Sequence, residues 1–269
     1  MPFTVSHIAA VLPGYRPLTR ARIFTAAVIG SMVPDFGLLL PGAVSRMQTH
    51  TFAALFTFCL PMGLISYWLT LLLIRPAALE VVPDGVYVRL RAAPPPPRIG
   101  DWRAWLYSAA ALLLGACTHL AWDGFTHENA RGVRLFPALT DFGPEMSGHP
   151  LHLYKWLQYG SSVIGLAVVA GALLLWLLHA PKPIEAPARR IAPPERLAWL
   201  GAYVLPPLLA AAWLASRPWA PNMTPFNNSI ALGAVAILGV RTAANTLLLV
   251  SVLILARVAL SRHGRALNA

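Results

Sequence analysis

Long apolar blocks alternate with short polar connections along this chain. The blocks cover residues 23–40, 52–74, 104–123, 160–179, 197–215 and 230–260. Each approaches the ~20 residues that cross ~30 Å of hydrocarbon at ~1.5 Å per helical residue. In hydrocarbon the backbone has to bond within its own segment, so such blocks are read as helices. The pattern predicts an all-α fold, a polytopic membrane helical bundle with about six transmembrane helices. Residues 1–269 are read as a single domain. Residues 3–12 are apolar but too short to span, and are read as a short N-terminal half-inserted helix.

Two stretches between the blocks are rich in proline, 76–103 (with Pro94 to Pro97) and 180–196. Both read as solvated connectors. Within the first, the alternation of GVYVRLRA (85–92) predicts a short hairpin strand. The opening MPFTVSHIAAVLPGYRP lacks a basic start before its apolar stretch and a small-residue cleavage site. Insertion is therefore expected to be directed by the first full helix.

Composition agrees with a bilayer as solvent. The chain is 57% hydrophobic and 12% charged, where soluble domains carry about 25% charged residues. A net charge of +11 raises the question of nucleic acid. The basic residues lie in short connections rather than along one face or tail, which argues against nucleic-acid binding and for the positive-inside rule. With the N-terminal segment taken as cytoplasmic, 15 of the 21 Lys and Arg fall in inner segments and five in outer ones. That orientation turns the His-rich loop 125–155 outward, from a multi-pass protein of the inner (plasma) membrane. Cys59 and Cys117 lie inside apolar blocks and make no disulfide framework.

Ionisable groups inside membrane segments are costly, so each one asks for a reason. Asp35 interrupts the first block in VPDFG, and His119 and Asp123 end the third in THLAWDGFTH. His119, Asp123 and His127 recur at four-residue spacing, which places them on one face of a helix that continues through them. Asp35 lies ~20 Å along from Arg22, and His119 ~24 Å along from Arg103, so both reach the outer half of the bilayer. His50 stands at the outer entrance of the second block, and His7 rises ~14 Å if the N-terminal segment packs beside the first helix. Imidazoles and carboxylates converging at one depth suit a divalent cation. Simpler readings stand beside this one. Asp35 could pair with Arg241, and His119 and Asp123 could share only a hydrogen bond. His149 and His152 could line an entrance, and Gln158, Ser161 and Ser162 could hydrogen-bond across helices.

The segments MPFTVSHIAAVLP, AAVIGSMVPDFG, THTF, THLAWDGFTHENA and LYKWLQYGSS resemble, in this order, the bacterial membrane family called domain of unknown function 4184. More distantly, the order His, PD, His, His-x-x-x-Asp is similar to membrane-bound metal-dependent hydrolases related to zinc-dependent phospholipase C. That resemblance implies an all-helical fold with a metal site made by His7, Asp35, His50, His119 and Asp123. His127 belongs to the narrower family pattern and joins the expected ligand set. The expected ion is Zn²⁺, with Mn²⁺ or Fe²⁺ as alternatives, and Asp35 or Asp123 could bridge two ions. Glu128 or Asp141 is expected to act as general base or to orient a ligand histidine. The function expected is hydrolysis of a lipid or lipid-linked phosphate ester at the outer leaflet, with membrane lipids as partners. Two other readings stay open: an ion or proton transporter or channel, and a non-catalytic membrane protein with a structural metal.

Overall fold

A computed structural model describes residues 4–40, 42, 44–92, 100–146, 149–179, 189–217 and 229–267. The proline run at 94–97 and the connector 180–188 lie outside the described residues. Among the described residues the architecture is all-α apart from one small hairpin. A short helix α1 (Phe24–Gly30) precedes five helices long and apolar enough to cross a membrane. These are α2 (Leu55–Val81), α3 (Trp102–Thr126), α4 (Leu153–Leu178), α5 (Pro193–Ala215) and the Gly233–Ser261 stretch of α6 (Ser229–Leu267). Leu173, Leu174, Leu175 and Leu178 on α4 are all exposed. Such an apolar surface suits lipid rather than water.

The chain divides into two compact units, Met1–Tyr67 with Pro95–Leu178, and Trp68–Pro94 with His179–Ala269. In the second unit, Ala77, Val81, Ile191, Val250, Ile254 and Val258 form a buried apolar cluster. Beside it, residues 84–92 make a helix rather than the expected strand. Tertiary contacts override the two-residue alternation there. Arg189 stacks 4.0 Å from the centre of the Tyr87 ring and donates to Asp84 Oδ1 at 2.9 Å. Arg91 donates to Tyr87 Oη, one helical turn away, at 2.7 Å.

The first unit departs from the sequence expectation at its most informative point. The block 23–40 is two short pieces, α1 and a 3-10 helix Val33–Leu39, not one span. Two features break it. Ser31 Oγ turns back to the Val28 carbonyl at 2.8 Å, competing with the helical ladder. Pro34 has no N–H to continue that ladder. The Asp35 N–H then bonds to Met32 O at 3.1 Å, which releases the Ser31 carbonyl from the partner it has in an α-helix. Because this block is not a span, Arg16, Arg20 and Arg22 no longer count toward orientation.

Two glycines set the depth at which α1 lies against α3. A Cβ at Gly115 would stand 2.2 Å from Ala27 O, and one at Gly30 would stand 2.2 Å from Leu112 O. Only glycine allows the two backbones this close. The 3-10 segment Thr4–Ala10 approaches α4 in the same way, with Ser6 O 2.9 Å from the place a Gly165 Cβ would occupy. Asp101 Oδ1 caps the start of α3 by accepting from the Ala104 N–H at 3.1 Å. At the other end α3 stops at Thr126, His127 is extended, and Asn129 takes a left-handed conformation (φ 59°) that asparagine tolerates. Beyond it a hairpin pairs β1 (Phe142–Met146) with β2 (His149–His152), which the sequence reading had as loop.

Candidate metal centre

Four side chains converge in the first unit: Asp35, His50, His119 and Asp123. One ligand atom from each lies within 4.8 Å of every other. His50 Nε2 is 3.3 Å from His119 Nε2, 3.5 Å from Asp35 Oδ1 and 3.4 Å from Asp123 Oδ2. His119 Nε2 is 3.7 Å from Asp35 Oδ1 and 3.5 Å from Asp123 Oδ2. Donors at ~2.0–2.1 Å from a tetrahedral ion lie ~3.3–3.4 Å from one another. Five of the six pairs are therefore close to the edges of such a tetrahedron before any ion is added. Asp35, His119 and Asp123 are buried. Asp35 Oδ1, one of these four ligand atoms, has no hydrogen-bond partner; Asp123 Oδ1 is unpartnered too, but it lies on the His7 side, while Oδ2 faces the set. Buried carboxylate oxygens without donors are the atoms a cation satisfies, so the residues present fit a divalent metal.

Each ligand is aimed by its surroundings. The released Ser31 carbonyl lies 2.8 Å from His119 Nδ1. A carbonyl only accepts, so Nδ1 carries the proton and Nε2 turns its lone pair to the cluster. His50 is oriented in the same way. Its Nδ1 sits 3.1 Å from Arg46 O and 2.8 Å from Thr49 Oγ1. It follows a four-residue helix, Arg46–Thr49, whose start is held by Gln48 Oε1 accepting from the Ser45 N–H at 2.8 Å. Thr4 Oγ1 donates to Asp35 Oδ2 at 2.8 Å, and Arg46 Nη2 donates to Asp123 Oδ2 at 2.5 Å.

The other expected site residues fall in three places. His7 lies against the four-residue set, its ring stacked on His119 with centroids 3.7 Å apart. His7 Nε2 is buried without a partner, 3.5 Å from Asp123 Oδ1. Burial, reinforced by the neighbouring His119, pushes its pKa down to about 4, so the ring is neutral at pH 7.

His127 was expected on the ligand face, but α3 ends before it and both its nitrogens are engaged. Gln158 Nε2 donates to His127 Nε2 at 3.2 Å, and His127 Nδ1 lies 3.3 Å from Asp123 O. Lys155 Nζ fixes the amide by donating to Gln158 Oε1 at 3.1 Å. Gln158, 0% exposed, thus holds His127 behind Asp123. Glu128 and Asp141 are exposed and take no part in the cluster. His152 belongs to the hairpin, stacked on Phe142 with centroids 4.4 Å apart and bonded to Thr140 O. Trp122 Nε1 donates across to Ser161 Oγ at 3.1 Å, and Ser162 Oγ bonds back to Gln158 O at 2.7 Å.

Sequence reasoning missed Arg46, Thr4 and Ser31. Arg46 carries a signal in the sequence, since it stands four residues before His50. A narrow cleft of about 20 Å³ is lined by Asp35, Arg46, Thr49 and His50 among others. That is roughly room for one water.

A multi-pass helical membrane protein carrying a buried His/Asp cluster able to hold a metal ion is the class this geometry defines. The chain belongs to the family described as domain of unknown function DUF4184, whose family model matches residues 1–255. No curated protein and no solved structure matches it.

Proposed function

We propose that this chain is a membrane-embedded, metal-dependent hydrolase acting on a phosphate ester of a lipid or lipid-linked group. The observation that carries the reading is the near-tetrahedral set of contacts, 3.3–3.7 Å, among Asp35, His50, His119 and Asp123. A divalent ion held by Asp35, His50, His119 and Asp123, with Zn²⁺ favoured by this donor set and Mn²⁺ or Fe²⁺ also suited, would supply a water of lowered pKa and polarise a phosphoryl oxygen. The chain's own residues do the rest. As ligands, His50 and His119 would turn Nε2 to the ion, because Nδ1 of each faces a carbonyl oxygen and carries a proton there. Asp35 and Asp123 balance the ion's charge. His7 Nε2 is the free base nearest the set, and takes the proton-transfer role expected of Glu128 or Asp141.

Location supports an amphiphilic substrate. His50 precedes the start of α2, and Asp123 is near the end of α3, so the site sits at one end of two spans. Beside the same end of α3 lies an apolar groove of about 460 Å³ lined by Trp122, Phe125, Phe136, Leu139 and Leu157. Counted along the sequence, with the five spans taken to alternate in direction, twelve Lys and Arg (Arg75, Arg89, Arg91, Arg98, Arg103, Lys182, Arg189, Arg190, Arg196, Arg257, Arg262 and Arg265) fall toward the span ends away from His50 and Asp123, against five (Arg46, Arg131, Arg134, Lys155 and Arg217) toward the near ends. By the positive-inside rule the site faces the outer leaflet of the plasma membrane.

One observation favours a second reading. Four protein donors already complete a tetrahedral ion, as in structural sites that staple helices. Against it stands the cleft, which opens beside Asp35 and His50 and leaves room for a water. Metal content of the purified protein, with hydrolysis of a phospholipid panel with and without chelator, separates the two. Bound metal with chelator-sensitive hydrolysis supports the enzyme. Bound metal with no hydrolysis supports the staple, and no bound metal defeats both.

A further inference from the structure

We infer that Arg46 is the anion-binding arm of this site, holding a phosphate-type oxyanion at the solvent-facing mouth of the cleft beside the metal ligands, where the cleft itself admits no more than one oxygen. The inference rests on the metal reading above and adds the chemistry of what the site accepts.

Charge is the first argument. Asp35 and Asp123 bring two negative charges, which a divalent ion held through Nε2 of His50 and His119 would neutralise alone. Arg46 then leaves the site with one positive charge more than it needs for itself. A phosphodiester carries one negative charge and matches that excess.

Geometry is the second. The ligands lie in the interior, but the Arg46 side chain is 33% exposed and reaches from solvent to Asp123 Oδ2. Its guanidinium has five donors in a planar fork. One goes to Asp123. Nε is buried and has no partner. The cleft lined by Asp35 and His50 has Arg46 as its only cationic wall among the described residues. The Arg46 backbone also anchors ligand His50 through the contact between His50 Nδ1 and Arg46 O. The arm and the metal site are therefore built on one helical turn. Forked, charge-assisted pairing with two oxygens is the geometry phosphate groups accept.

The test uses full-length protein loaded with zinc, with inorganic phosphate as probe and calorimetry as readout. Wild type is expected to bind phosphate. Arg46→Gln is expected to keep its zinc and to bind phosphate at least tenfold more weakly, and Arg46→Lys to fall between. The same titration in nanodiscs of phosphatidylglycerol and of neutral galactolipid distinguishes the source of the anion. Loss of phosphate binding only in phosphatidylglycerol means that a lipid headgroup takes the site, whereas equal binding in both means that free phosphate does. Both outcomes support the arm. If Arg46→Gln fails to fold, the Arg46→Lys comparison decides. Zinc-loaded wild type that binds no phosphate, or variants that bind it as well as wild type, overturns the inference and leaves the metal reading standing. Wild type that takes up no zinc defeats the metal reading itself.

Discussion

The carbonyl oxygen of Ser31 lies 2.8 Å from Nδ1 of His119, across 88 residues of chain. The bond exists because the apolar block breaks after Gly30, and because Gly30 and Gly115 let α1 lie against α3. Gly115→Ala places a methyl 2.2 Å from Ala27 O, so α1 has to retreat. Metal affinity, read by chelator competition, should fall about 10–100-fold, the usual effect of losing a group that orients a ligand. Unchanged affinity would mean that this contact does not aim His119.

The four convergent ligands should behave differently from the exposed acids. His119→Ala and Asp123→Ala should each lose the bound ion by elemental analysis. Glu128→Gln and Asp141→Asn should keep it. Retention by the first pair, or loss from the second, would contradict the site as drawn.

His7 separates holding the ion from using it. His7→Gln should leave metal content unchanged and lower hydrolysis by about 10²–10⁴-fold, the range for removing a general acid or base. Loss of metal together with activity would instead make His7 a ligand.

Gln158 makes a prediction about stability. Gln158→Leu keeps the volume but leaves His127 Nε2 without its donor inside the fold. The cost should be about 1–3 kcal/mol, seen as earlier thermal unfolding in detergent. Metal affinity should change less than in Gly115→Ala, since His127 Nδ1 lies 3.3 Å from Asp123 O and 3.7 Å from Oδ1, not from the Oδ2 that faces the set. Equal unfolding temperatures would show that the Lys155–Gln158–His127 chain does not stabilise the fold.

What the sequence made legible follows the physics of each signal. The five spans were readable because twenty apolar residues in a row have few other uses. Asp35, His50, His119 and Asp123 were readable because such groups are rare at apolar depth. The break in the block 23–40 was not, because hydropathy averages over Ser31 and Pro34, whose effect is on backbone hydrogen bonds. His127 was placed on the ligand face by extending a helical period past Thr126, although the run His127, Glu128, Asn129 carries the helix stop. Residues 85–92 alternate like a strand, but Arg189 and Asp84, far apart in sequence, decide their conformation. Glu128 and Asp141 attracted a catalytic role through their charge and proximity in sequence, and neither carries its carboxylate inward. The closeness of α1 and α3 depends on two glycines whose partners no local pattern reveals.

The spacing of the ligands also constrains biogenesis. Asp35 and His50 leave the ribosome well before His119 and Asp123 are made. At ~5–20 residues per second, the interval is several seconds. During that time two polar groups and the released Ser31 carbonyl have no partners, while α2 is already a candidate for insertion. The N-terminal quarter of the chain therefore completes its folding only after α3 enters the bilayer. A nascent chain truncated before residue 119 should be held by the insertion machinery or degraded, however apolar its first span.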